Sequence, residues 1–325
     1  MPVLWVETEH FRLGSALEEY APEEREELAE LQAEIAELRP LLEDLPAKPK
    51  KLDPWLRLHL FARRLESLHA DLRERLGVLE EAPSEPTGEG PAVPAFGMRE
   101  KTSVLLTQKK STLARFTREF CLVEQGDAFI HHFHEKGFLF FGISDESLAL
   151  SDSDLHYAVI HGVTQLLLCG IHGYPHALPA WWQHGVSLWF ARQREPRAVL
   201  YVRPAGESLP PEELVDWQPL VRGRAEARIC IGWSEMLGRS EWLDEGFGDN
   251  IVLWSRVDYL MQAGLARELV PLLHAPDALA PDSARALCSV AGKTLEELDR
   301  DWTAWVLESY RKKRRSRRRR ASVAH

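Results

Sequence analysis

The stretch LHYAVIHGVTQLLL, residues 155–168, is built mainly of Ala, Val, Ile and Leu, yet it carries His161 and Gln165 four positions apart. At helical spacing these two share a face with Tyr157, a polar stripe on a helix otherwise suited to a core. An imidazole and an amide one turn apart can ligate a metal or hydrogen-bond each other, because a buried polar group needs a partner. A second run, LPAWWQHGVSLWFARQ (178–193), opens with Pro179, a residue that suits a helix start, and places His184 a turn further in. Two other groups of histidines compete for attention. HHFHE (131–135) puts His132 and His134 on one face of a strand, and the loop GIHGYPH holds His172 and His176. The first, a short cluster with no distant partner, reads as a partly exposed strand; the second sits near the expected cleft and could bind a ligand, though it reads as ordinary loop polars. No GxGxxG, GxSxG or P-loop motif occurs.

The elements that must position these residues follow from periodicity and breakers. Residues 3–13 (VLWVETEHFRL) alternate and predict a strand. Leu28, Leu31, Ile35 and Leu38, then Leu58, Phe61, Leu65, Leu68 and Leu72, recur at three and four residues and predict two helices. The proline-rich LEDLPAKPKKLDP between them breaks the helix, so residues 17–80 are expected to form an antiparallel hairpin insertion whose apolar seams face each other. APSEPTGEGPAVPA (82–95) reads as an exposed loop, KTSVLLTQ (101–108) as a strand and STLARFTREF (111–120) as a helix capped by its serine. AFIHHFHEKGFLFFGIS (128–144) predicts two short strands around a Lys-Gly turn, with SLALS (147–151) as another candidate strand. SDSD (151–154) supplies a serine cap and an acidic first turn for the helix that carries His161. From there the chain is mostly helical, and the fold class expected is α+β.

With its two polar helices, the chain resembles the gluzincin-type zinc metallopeptidases, specifically the peptidase MA-like families of uncharacterised bacterial proteins (DUF1570-like). Their first helix carries H-E-x-x-H and their second a motif of the form P-x-W-L-x-E-G-L-A-x-Y-F. This chain has His161-Gly162-Val163-Thr164-Gln165 and then Pro179-Ala180-Trp181-Trp182-Gln183-His184-Gly185-Val186-Ser187-Leu188-Trp189-Phe190. TEHFRL near the start looks like the family's opening strand and LEELDRDWTAWV (295–306) like its closing helix. The resemblance implies a single zincin-like domain over 1–310, with a small N-terminal sheet and a mainly helical C-terminal half. It also implies that two histidines and the second-helix glutamate hold zinc while the first-helix glutamate acts as base. Here only His161 stands unchanged. Gly162 occupies the base position, Gln165 the second ligand position and His184 the third. No catalytic residue and no cofactor are therefore expected, and His161, Gln165 and His184 are expected to hydrogen-bond one another in a pseudopeptidase whose old cleft serves structure or binds a protein or peptide. Zinc is the cofactor of the alternative, a hydrolase using His161, His184 and a carboxylate such as Glu245, which stands in the Trp-Leu-x-Glu-Gly of EWLDEGFGD (241–249).

Composition sets the remaining bounds. The 325 residues are 45% hydrophobic and 28% charged, as in an ordinary globular protein, and hold no apolar run of the roughly 18–20 residues a membrane span requires. The first residues lack the features of a signal peptide, and the four cysteines, at 121, 169, 230 and 288, have neither zinc-ribbon nor disulfide spacing, which together predict a cytoplasmic, reducing location. The net charge of −10 conceals two electrostatic objects. RKKRRSRRRR (311–320) holds nine basic residues, leaving 31 basic against 50 acidic elsewhere, a body at −19. Arg311, Lys312, Lys313, Arg314, Arg315, Arg317, Arg318, Arg319 and Arg320 form a candidate polyanion contact within an expected disordered tail, 311–325. Such a run would bind nucleic acid at low salt without reading bases, for it lacks aromatics to stack on them.

Overall fold

In the computed structural model, the described residues are 2–42, 45–46, 48–81, 94–133, 135–147, 151–171, 178–198, 216–240, 242, 246–275 and 282–311. The opening segment is two strands rather than one: β1 (Leu4–Glu7) and β2 (Phe11–Ala16) pair antiparallel, because Thr8 and Phe11 close a tight turn at 8–11. Trp5 lies across Gly14, where a Cβ would stand 2.8 Å from the indole, so this cross-strand pair requires glycine.

α1 (Arg25–Leu38) and α2 (Pro54–Leu76) follow, the second capped by Asp53, which accepts from the Leu56 N–H at 2.9 Å, and ended by Gly77 at φ +67°. The two helices meet, but not along the seams their periodicities suggest. Leu31, Ile35 and Leu38 of α1 pack on Leu52, Leu56 and Leu60. Leu58, Phe61, Leu65, Leu68 and Leu72 instead turn into the main core with the sheet. The physical reason is that α2 is a crossover: β2 runs parallel to β3 (Thr102–Thr107), so the connecting helix must lie back on the sheet.

α3 (Lys110–Phe120) has no side-chain cap, and Ser111 lies inside it; the Lys110 N–H donates instead to the Glu146 carboxylate at 2.8 Å. β4 (Phe129–Phe133) and β5 (Phe138–Ser144) form the expected hairpin, with Gly137 at φ +73° in its turn. Residues 145–147 form a short 3₁₀ turn rather than strand, while 148–150 lie outside the described residues. The sheet order is β1-β2-β3-β5-β4, with the three central strands parallel and both edge strands antiparallel. Alternation along these strands sorts the two faces. Leu105 and Phe140 point to α3, whereas Val104, Leu106, Phe141 and Ile143 point to the main core.

That core is completed by α4 (Asp152–Gly170), α5 (Ala180–Arg194), α6 (Trp217–Ala227), α7 (Trp233–Leu237), α8 (Phe247–Gln262), α9 (Leu265–Leu273), α10 (Ser283–Ala291) and α11 (Leu295–Ser309). It runs unbroken from Phe11 to Tyr310, and the architecture is α+β: a mixed sheet followed by a helical half. Tryptophans tie the helical half together, since each buried indole N–H seeks an acceptor. Trp181 donates to Ser283, Trp182 to His274, Trp189 to Asp258 and Trp302 to Ser255, all at 2.9–3.1 Å. The four thiols are unbridged, and among the described residues no helix is long and apolar enough to cross a membrane.

Candidate functional site: a buried imidazole pair

α4 starts as its sequence demands, with Ser151 accepting from the Asp154 N–H at 3.2 Å. It then lies so close on β5 that Gly162 has no alternative: a Cβ there would stand 2.2 Å from the Phe141 ring. α5 is laid against α4, its Gly185 pressed on Leu253 and Val257 of α8. This packing brings His161 and His184 together, with ring centroids 5.1 Å apart and planes at 78°.

The pair is neutral. Burial, and secondarily the neighbouring His184, hold His161 well below the usual histidine range; burial takes His184 down to about 4, against the opposing effect of its hydrogen bond to Asn250. That bond joins His184 Nε2 to Oδ1 of Asn250, in the first turn of α8, at 2.8 Å; the Asn250 amide donates in turn to the Gly246 carbonyl at 3.3 Å. A side-chain carbonyl only accepts, so Nε2 carries the proton and Nδ1 of His184 presents a lone pair. Among the described residues that Nδ1 is buried without a hydrogen-bond partner, as is Nε2 of His161. Two more polar atoms on the same stripe of α4 share this condition, the Tyr157 hydroxyl and Thr164 Oγ1.

The expected mutual hydrogen bonding of His161, Gln165 and His184 is not what the side chains do. Gln165 is half-buried and makes no hydrogen bond to either imidazole among the described residues; His184 Nε2 bonds Asn250 instead, and the two rings meet edge to face. Nor does a third histidine, cysteine or carboxylate join the pair within metal-ligating reach among the described residues. Asn250 escaped sequence reading; its only signal is an asparagine in the first turn of a helix, beside Asp249 and ahead of the apolar run 251–254.

The other sequence candidates fall elsewhere. His131 sits on edge strand β4, its ring packed against Phe129 and Phe133, and His132 faces Leu139 across the ladder. His134, His172, His176, Glu245 and the basic run from Lys312 to Arg320 lie outside the described residues; Arg311 is exposed.

Fold and site together define an α+β protein whose helical half encloses a neutral, partly unpartnered imidazole pair. Compared with the models of known protein families and with curated protein sequences, the chain matches none.

Proposed function

We propose that the chain is a catalytically inactive, metallopeptidase-like protein whose zincin-like helix pair now binds a polar ligand, such as a segment of peptide, rather than hydrolysing one. The observation that carries this reading is the convergence of His161 and His184 on facing helices, the two positions that the gluzincin resemblance makes ligands, at a site without the rest of the chemistry. The base position is Gly162, and the sheet closes the space a side chain would need there. Loss of such a base alone removes a factor of about 10²–10⁴ in rate. Gln165, at the second ligand position, offers only a neutral amide.

A binding role follows from the unpartnered atoms. Each buried polar atom left without a partner costs about 1–3 kcal/mol, and Tyr157, His161, Thr164 and His184 each carry one. A ligand bringing its own donors and acceptors to this stripe of α4 would satisfy them.

Zinc content and peptide hydrolysis, measured on the wild type and on His161→Ala and His184→Ala, test this. We expect the same zinc content in all three and no hydrolysis above background. A full equivalent of zinc lost in both variants, together with hydrolysis by the wild type, would instead establish a zinc hydrolase held by His161, His184 and a further carboxylate.

A further inference from the structure

A second histidine constellation lies at the amino-terminal end of β2, assembled from three separate stretches of sequence. His10 comes from the turn between β1 and β2, Glu66 and His69 from one face of α2, and Glu80 from the segment just past the Gly77 cap. His69 and His10 stack, with centroids 3.8 Å apart and planes at 19°, and Phe96 covers the other face of His69 at 4.9 Å. Glu66 grips His10 twice, accepting from its backbone N–H at 2.9 Å and meeting Nδ1 at 2.6 Å. That leaves His10 Nε2 directed at Glu80 Oε1, 3.2 Å away. Glu80 is steadied in turn by Arg73, whose guanidinium reaches its other oxygen at 2.7 Å.

We propose that His10, His69 and Glu80 form a binding site for a zinc-class divalent cation, with Glu66 orienting His10 and water completing the coordination. One ligand atom from each of the three lies within 4.8 Å of the others. Ligand atoms of a tetrahedral zinc site with bonds of about 2.0–2.2 Å stand about 3.3–3.6 Å apart, so the set closes by at most about 1.5 Å, with the stacked His10 and His69 rings turning so that both lone pairs meet the ion. The supporting details are those metal sites use. A carboxylate on the far nitrogen of a histidine fixes its tautomer and raises its basicity, and the ligating carboxylate is itself held by a donor. The proposal is independent of any role for His161.

Titration of the full chain with Co²⁺, followed by its visible absorption and by competition with Zn²⁺, tests the site. We expect one equivalent bound, binding lost in both His10→Gln and Glu80→Gln, and affinity weakened about 10- to 100-fold in Glu66→Gln. His161→Ala and His184→Ala should bind as the wild type does. Both His10 and Glu80 are solvent-accessible enough for these variants to fold, which circular dichroism verifies. Absence of stoichiometric binding, unchanged binding in folded His10→Gln and Glu80→Gln, or binding abolished by His161→Ala would each overturn the proposal.

Discussion

The first turn of α4 and its middle are two polar stretches on one buried helix, and they are treated oppositely. At the start, Asp152 is fully buried but completely engaged: Oδ1 accepts from Arg57 Nε and Oδ2 from Arg64 Nη1, each at 2.9 Å, and Arg64 also reaches Glu34 at 2.7 Å. Those two guanidinium groups hold the Asp152 carboxyl below the usual carboxylate range despite its burial. One turn on, His156 meets Glu195 at 2.5 Å, leaving only Nε2 without a partner. In the middle, His161 and His184 carry no charge, touch edge to face and leave a nitrogen each unpartnered among the described residues. The difference teaches what each region is for. A buried charge with both oxygens engaged fastens α1, α2 and α4 together, while the middle of the helix keeps polar atoms without a hydrogen-bond partner among the described residues.

The contrast can be broken at several points. The largest effect belongs to the fastened end. Asp152→Asn removes the buried carboxylate that Arg57 and Arg64 share, leaving Arg64 only Glu34 and Arg57 only the more distant Asp145 as carboxylate partners among the described residues, and urea unfolding at pH 7 should show a loss of about 3–5 kcal/mol. A loss below 1 kcal/mol would mean that the cluster does not hold the helices.

Next comes acid. The folded state holds the pKa of His184 down, so below the ordinary value near 6.5 the unfolded chain takes up the proton first. Stability is therefore complete above pH 6.5 and falls as the pH drops towards about 4, by about 3 kcal/mol from this residue. His184→Gln should lose that much less over the same span in urea unfolding followed across pH; an unchanged pH profile would mean that His184 is not buried neutral.

Gly162→Ala should cost about 1–3 kcal/mol through overpacking on Phe141, with partial recovery in the double variant carrying Phe141→Leu. The smallest effect is expected of Gln165→Ala, within about 0.5 kcal/mol. A larger loss there would reveal a partner for Gln165 and restore the mutual hydrogen bonding expected from sequence.

The sequence made the elements legible where local chemistry was strong. The Ser151 cap, the Gly137 turn and the Trp-rich helix α5 all sit where their residues require, whereas the Ser111 cap does not form. It misled where topology overruled periodicity. The Leu58–Leu72 seam is a good helix signal, but periodicity cannot say whether a seam meets α1 or the sheet, and the parallel pairing of β2 with β3 decided it. The same limit applied to the sites. His161 and His184 were visible through motif spacing, whereas Asn250, 66 residues beyond His184, was not. Asp152 read as a residue facing the helix dipole, yet it is a buried counter-ion; the clue was Arg57 and Arg64, seven apart on the apolar face of α2. His10, His69 and Glu80 come from three segments, and no spacing rule joins them.

The central claim, that α4 and α5 keep a ligand geometry from which the ligands have been removed, is tested most directly by rebuilding it. Gln165→His combined with His184→Glu completes a two-histidine, one-carboxylate set around His161 while leaving Gly162 and its contact with Phe141 untouched. Zinc per chain, measured against the wild type on protein of matched circular dichroism, should rise by one equivalent, and His161→Ala in that background should remove it. A folded double variant that holds no more zinc than the wild type would contradict the claim.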